Sequence, residues 1–277
     1  MRYLFIAAAI IIGCTYDVSG QEKDSIKKYS LFHPAPREKM REMQTDRPDV
    51  TESAYTVDVG HFQVESDILK LIRNTSNGIS SHTNYYNLIN LKAGLTNSTD
   101  LQLVVESYVK NEVKEPFLTS NQSGFGNLTV RLKQNIWGNT SGKSALALMP
   151  YLSVPTSRFE ENKKLGGGLI VPFALELKNG WSFSSQAAID FEKPETTRSY
   201  QTELLTSATL GREIIPKLNG FMETYDTYAF ADDKFDLFLD GGLIYSLTDN
   251  FKMDAGINYG VTKSSDKVYF IGFSFRY

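Results

Sequence analysis

The sequence predicts an all-β fold, a transmembrane antiparallel up-and-down β-barrel of about twelve strands. Three observations predict it. Lys267 to Tyr277 alternates strictly, with Tyr269, Ile271, Phe273, Phe275 and Tyr277 on one face and Phe270, Gly272, Ser274 and Arg276 on the other. Side chains alternate across a strand, so this one carries an aromatic stripe that a soluble protein rarely exposes and that lipid covers. The same rhythm recurs back to Gly60, while no segment approaches the roughly 20 apolar residues of a membrane helix. Connections between the rhythmic stretches alternate between short and long, like the tight periplasmic turns and longer outer loops of a barrel.

Composition agrees. Hydrophobic residues are 41% and charged residues 22% of the 277, which argues against a disordered chain and a helical membrane protein. Tyrosine (15) and phenylalanine (17) far outnumber histidine (3) and cysteine (1), a bias toward strands and interfacial girdles over metal chemistry. A net charge of -3 offers no basic face, so no nucleic-acid partner is expected.

Residues 1–20 read as a signal peptide: Arg2 is its charged start, Tyr3 to Ile12 its apolar core and Val18-Ser19-Gly20 its cleavage site. The rival reading lipidates Cys14 after Ile11-Ile12-Gly13. With no second cysteine, Cys14 forms no internal disulfide. Residues 21–59 read as a charged periplasmic arm with Pro34, Pro36 and Pro48. Pro36 to Met43 suits a short helix with proline in its first turn. Gln44 to Ser53, with alternating acids, Arg47 and hydroxyls, suits a segment rich in local hydrogen bonds. It is either a simple tether or a plug in the periplasmic mouth, pairing Arg47 with lumen acids such as Glu65.

Residues 60–277 read as the barrel, with strands near 60–72, 83–95, 99–110, 125–137, 144–155, 166–178, 181–192, 200–213, 217–229, 235–247, 250–262 and 267–277. Each reaches or exceeds the roughly 9–11 residues a tilted strand needs to span a bilayer. In the third, Leu101, Leu103, Val105 and Val109 oppose Gln102, Glu106 and Lys110. In the fourth, Leu128, Val130, Leu132 and Ile136 oppose Thr129, Arg131, Lys133 and Asn135. The ninth is ambiguous, because Glu223 and Asp226 fall on opposite faces. Short connections include Thr96 to Asp100, Gly138 to Gly142, Asn179-Gly180, Ile215-Pro216 and Thr248-Asp249, rich in turn residues. The long ones include Asn74 to His82, Asn111 to Gly124 and Thr156 to Lys164. Trp137, Trp181 and Phe251 beside short connections fit a periplasmic aromatic girdle.

Two motifs carry resemblances. Gly272-x-x-Phe275-x-Tyr277 resembles the C-terminal signal that hands outer-membrane proteins to the barrel-assembly machinery, with Phe270 where a polar residue is usual. It implies that machinery as a partner. Thr45-Asp46-Arg47-Pro48-Asp49-Val50-Thr51-Glu52-Ser53, followed by Gly60-His61-Phe62-Gln63-Val64-Glu65, resembles the signature of the "meta-pathway of phenol degradation" outer-membrane family. The resemblance implies a bacterial outer-membrane barrel labelled a transporter. It further implies passive uptake of small solutes, hydrophobic or aromatic ones among them, with no cofactor.

The face opposite the apolar one is the lumen. Its candidates for a constriction are Glu65, Asp67, Lys92, Glu106, Arg131, Lys133, Glu203 and Arg276, with Glu176, Asp190, Asp240, Lys252 and Asp254 on the same face. Buried charges must be paired or wet. They line either a conduit whose charges select the solute or the sealed lumen of a structural or surface-interaction barrel. Enzymatic chemistry is not expected. His33, His61 and His82 are dispersed, which suggests no zinc site, and there is no Gly-x-Ser-x-Gly elbow. His82 with Ser80 or Ser81 is the single catalytic candidate, an outer-surface lipid-hydrolysing pair. Gly166-Gly167-Gly168 lacks the following Lys-Ser/Thr of a phosphate loop and more simply relieves crowding in a strand.

Overall fold

The computed structural model describes residues 29–76, 78–157, 164–192, 199–263 and 265–277. The signal segment and Cys14 lie outside the described residues. The strand segments are β1 (Phe62–Ser76), β2 (Ile79–Thr96), β3 (Thr99–Glu115), β4 (Leu118–Gly124), β5 (Leu128–Trp137), β6 (Ser144–Val154) and β7 (Gly166–Glu176). They continue with β8 (Trp181–Glu192), β9 (Gln201–Ile215), β10 (Leu218–Ala229), β11 (Lys234–Thr248), β12 (Phe251–Gly260) and β13 (Lys267–Arg276).

Every neighbouring pair is antiparallel, and β1 pairs with β2 on one side and β13 on the other, so the sheet closes on itself. The upper part of β3, Val109 to Glu115, pairs with β4, and its lower part, Thr99 to Val105, pairs with β5. β4 and β5 are therefore two halves of one wall position, and the closed barrel has twelve strands. The break between the halves is held by Glu106, whose carboxylate accepts the Asn127 N–H at 2.9 Å and whose backbone carbonyl accepts the Gly126 N–H at 2.8 Å.

The pleat sorts residues as alternation predicts except on upper β3. There Val109, expected on the lipid face, is buried and Lys110, expected in the lumen, is exposed. The ladder skips Asn87 and Ser107, with Asn87 at positive φ, and the faces exchange beyond it. On β13, Tyr269, Ile271 and Phe275 face outward, while Val268, Phe270, Ser274 and Arg276 are buried inward. Leu101, Val130, Leu132, Ile136, Ile257 and Tyr259 extend the lipid-facing belt. Near the ends joined by short turns, Trp137 and Trp181 stay partly exposed, Arg212 lies over the Trp181 ring, and Phe251 stacks on Phe273. Glu223 points inward and is buried. Asp226 points outward and accepts a hydrogen bond from Thr206 Oγ1 at 2.6 Å, which resolves the ambiguity on that strand.

Two expectations need correction. Asn74 to His82 and Asn111 to Gly124 are not long loops: β1, β2 and β3 run 15, 18 and 17 residues, and both stretches are hairpins with tight turns. Beyond the bilayer both faces of a strand meet water, so Asn, Ser, Thr and Lys can continue the ladder where their polarity suggests a loop. Part of Thr156 to Lys164 lies outside the described residues. The helix expected over Pro36 to Met43 is only a 3-10 turn, Arg37–Lys39, bounded by extended Pro36 and Met40. Tertiary bonds outweigh helical ones here. Ala35 N–H bonds Val59 O at 3.1 Å, Arg41 reaches Asp58, and Met43 is fully buried.

Among the three consecutive glycines of β7, Gly168 is the tightest. A β-carbon there would overlap the Ile189 carbonyl and press on the Tyr151 ring, which folds into the lumen over it.

Candidate functional site: a segment threaded into the lumen

The arm does not stop at the periplasmic mouth. Residues 44–58 run inside the barrel, and the inward polar groups of nearly every wall strand close on them. The base is fixed where β1 meets β13. His61 Nε2 lies 2.7 Å from Ala35 O, and its Nδ1 lies 3.0 Å from Tyr277 O. Asp58 joins Arg41 (2.7 Å) to Arg276 of β13 (2.9 Å). Asn139 Oδ1 accepts the Thr56 N–H at 3.0 Å, and Asp100 accepts the Val57 N–H at 3.0 Å.

Deeper in, Asp46 is buried between Lys92 and Lys133, and Lys92 also pairs with Glu65. Glu65 accepts the Asp46 N–H at 3.0 Å. Burial opposes the charge on Asp46, but the two ammonium groups override it and hold its pKa well below the usual carboxylate range. Asp46 Oδ1 also accepts the Ser53 N–H at 3.0 Å, and Thr45 Oγ1 donates to Arg47 O at 2.7 Å. The signature is thus a closed loop, turning at a cis Arg47–Pro48 bond.

At the tip, Arg47 reaches Asp67 and Asp254, each at 2.5 Å. Glu223 accepts the Val50 N–H (2.7 Å), the Thr51 N–H (2.9 Å) and the Thr51 hydroxyl. Gln186 accepts the Glu52 N–H at 2.8 Å and donates to Val50 O at 3.1 Å. Glu52 pairs with Arg131 at 2.6 Å, and Asn135 donates to Ala54 O at 2.8 Å. Asp49 finds no basic partner among the described residues. Burial and the neighbouring Glu223 charge push its pKa well above the ordinary value.

Of the wall residues singled out from the sequence, Glu65, Asp67, Lys92, Arg131 and Lys133 grip residues 46–52, and Arg276 grips Asp58. Glu106 instead braces the β4–β5 break. Glu203 lies higher in the wall, opposite Asp190 in register. Sequence reasoning missed Asp58, Asn139, Gln186 and Glu223. Parity alone could have placed Gln186 and Glu223 inward, but nothing local marked Asp58 or Asn139 as partners of the arm.

The segment leaves two spaces. On the extracellular side a chamber of about 260 Å³ is bounded by Arg47, Asp49, Glu52, Lys70, Asn258 and Phe270, among others. On the periplasmic side a chamber of about 540 Å³ lies between the segment and β7–β12, reaching Trp181, Phe183, Phe221 and Lys252. Arg47, Asp49 and Glu52 border both. Apolar groups also face inward: Phe221, Val268 and Phe270 pack with Ile72 and Ile244, and Met149, Ile170 and Ala188 with Tyr151 and Leu205.

The outer catalytic candidate takes a defined geometry. Ser80 Oγ lies 3.2 Å from His82 Nε2, and Glu112 lies 3.7 Å from Nδ1, longer than a hydrogen bond. Lys114 holds the same Glu112 oxygen at 2.6 Å, so the carboxylate serves the lysine rather than orienting the imidazole.

The family model described as "Putative MetA-pathway of phenol degradation" matches residues 45–277, from the second residue of the threaded segment to the end of the barrel. No curated protein matches the sequence. Solved structures similar to the chain include the NanC porin (TM-score 0.50, 11% identity, 75% of this chain and 98% of that one). Others are the KdgM porin (TM-score 0.45, 10% identity, 75% and 97%) and the translocator domain of autotransporter NalP from Neisseria meningitidis (TM-score 0.48, 10% identity, 78% and 88%). At 11% identity the likeness to the NanC porin speaks for the fold alone, that of an integral outer-membrane β-barrel.

Proposed function

The chain belongs to the family described as "Putative MetA-pathway of phenol degradation", and on that premise we propose that it is a non-enzymatic outer-membrane channel. Small solutes would pass passively around a plug formed by residues 44–58, with hydrophobic or aromatic solutes included as the family label suggests. One observation carries this reading: the two chambers meet the same three side chains, Arg47, Asp49 and Glu52, from opposite sides. A shift of that tip would join them into a continuous path. The larger chamber lies between the plug and β7 to β12, so the path would run past the plug rather than require its removal. Transport would be diffusion down a gradient, selected by charge at the tip. Delivery to the membrane by the barrel-assembly machinery through β13 is part of the same reading.

Planar-bilayer recording tests it. The wild-type barrel is expected to conduct weakly, and a variant lacking residues 22–53 severalfold more. A well-folded pair of proteins that both fail to conduct would overturn the channel. The buried ion pairs that lock the plug favour the second reading, a sealed barrel whose outer hairpins meet a partner, and that result would support it.

A further inference from the structure

The extracellular chamber has a chemical bias. Four buried side-chain atoms in its lining lack a hydrogen-bond partner among the described residues: Glu52 Oε2, Asn90 Oδ1, Asn258 Oδ1 and Arg131 Nε. All but the last are acceptors. Directly across the register from Asn258 stands Asp240, and neither of its carboxylate oxygens meets a donor. Asn258 is 7% exposed and Asp240 8%, so bulk water does not solvate them freely. Glu223 is the other cross-strand neighbour of Asp240, and Asp49 at the plug tip is near enough to act on Asp240 electrostatically. None of Asp49, Glu223 and Asp240 forms an ion pair among the described residues; of the three, Asp49 lines the chamber itself, beside Lys70 and the paired Arg47 and Arg131. Trapped water would satisfy the acceptors and protonation would neutralise the carboxylates, whereas a bound cation carrying N–H groups would do both at once.

An occupant that brings donors and positive charge together would meet the open acceptors and the Asp49 carboxylate at once. The carboxylates are not grouped closely enough to hold a metal ion among the described residues. Phe270 closes another side of the chamber and continues into the apolar cluster of Phe221, Val268, Ile72 and Ile244. An aromatic face beside acceptors suits an ammonium group on an apolar body, which packs on the ring as its N–H groups reach the carbonyls and carboxylates. At about 260 Å³ the space is just below the range typical of drug-sized ligands, so the occupant is small.

We propose that the chamber between the plug tip and the Asp240–Asn258 row is a binding site for a small primary amine carried on an apolar or aromatic body. That the site selects a transported solute rests on the channel reading; binding itself does not.

Titration calorimetry of the detergent-folded full barrel tests the site, with 2-phenylethylamine as the probe. Phenylacetate, with a similar body and the opposite charge, is the control. The amine is expected to bind saturably and phenylacetate at least about tenfold more weakly, a gap of about 1.4 kcal/mol. Asp240→Asn and Asn258→Leu are each expected to weaken the amine by a similar factor, with folding checked by heat-modifiable gel migration. Equal binding of the two probes, unchanged affinity in both folded variants, or no amine binding would overturn the site. Binding without bilayer conductance would sink the channel but keep the site, and conductance without binding would do the reverse.

Discussion

The guanidinium of Arg47 lies against Gly272. A β-carbon at position 272 would overlap Arg47 Nη2 and Cζ and the Ser66 carbonyl. Two motifs that look unrelated in the sequence are in contact: the arm signature supplies the arginine, and the closing strand supplies the gap that admits it. Asp67 of β1 and Asp254 of β12 flank that gap, so three wall strands converge on one plug side chain.

Gly272→Ala is expected to push Arg47 out of this pocket. Arg47→Ala would leave two buried carboxylates without their cation, a loss on the order of 3–5 kcal/mol in plug docking. Both variants should raise single-channel conductance and expose the plug to protease added from the periplasmic side. Because they break one contact, the double variant should cost clearly less than the sum of the two. Strict additivity would show that the glycine serves the wall alone.

Plug docking should weaken in acid. Asp46 has a depressed folded pKa, so its contribution is present above the unfolded value of about 4 and is lost as pH falls through the folded one. Protease accessibility of residues 44–53, followed from pH 7 downward, should rise below about pH 4. Asp46→Asn should flatten that dependence while loosening the plug at neutral pH.

Asp49 should give the opposite limb. Its pKa is raised, so its contribution is present below the unfolded value and is lost as pH rises through the folded one. Asp49→Asn removes a charge with no basic partner among the described residues and should tighten the plug at pH 7 to 8. The measurement is a higher thermal midpoint and slower plug proteolysis than wild type at that pH. A looser plug would mean that Asp49 is held ionised by a bound cation.

The hairpin between β1 and β2 should be extracellular. An epitope inserted after Gly78 should leave folding intact and be labelled by antibody on whole cells. The same epitope after Lys217, in the tight turn between β9 and β10, should be reached only once the outer membrane is opened. Labelling at Lys217 on intact cells would invert the topology.

Much of this was legible in the sequence. The belt of Tyr269, Ile271 and Phe275 and the inward Lys92, Arg131 and Lys133 follow from a two-residue period that any strand must obey. Upper strand ends look like loops in the sequence because, outside lipid, alternation carries no hydrophobic signal: Asn, Ser and Thr in Asn74 to Ser81 suit either state. The split of one wall position into β4 and β5 depends on Glu106 bracing Asn127, a contact across 21 positions. The course of the arm was the least legible part. Its polar, proline-bearing sequence fits a tether equally well, and the outcome turns on partners far away, as with Arg47 and Asp254, 207 positions apart.

By itself, the sequence determined the fold class, the two faces of the wall and which charges could enter the lumen, because each depends on periodicity within about ten residues. Only the tertiary structure decided which charges meet and that the arm fills the lumen. A closed barrel brings twelve strands around one axis, and a buried carboxylate is stable there only where that closure places its cation or its donors.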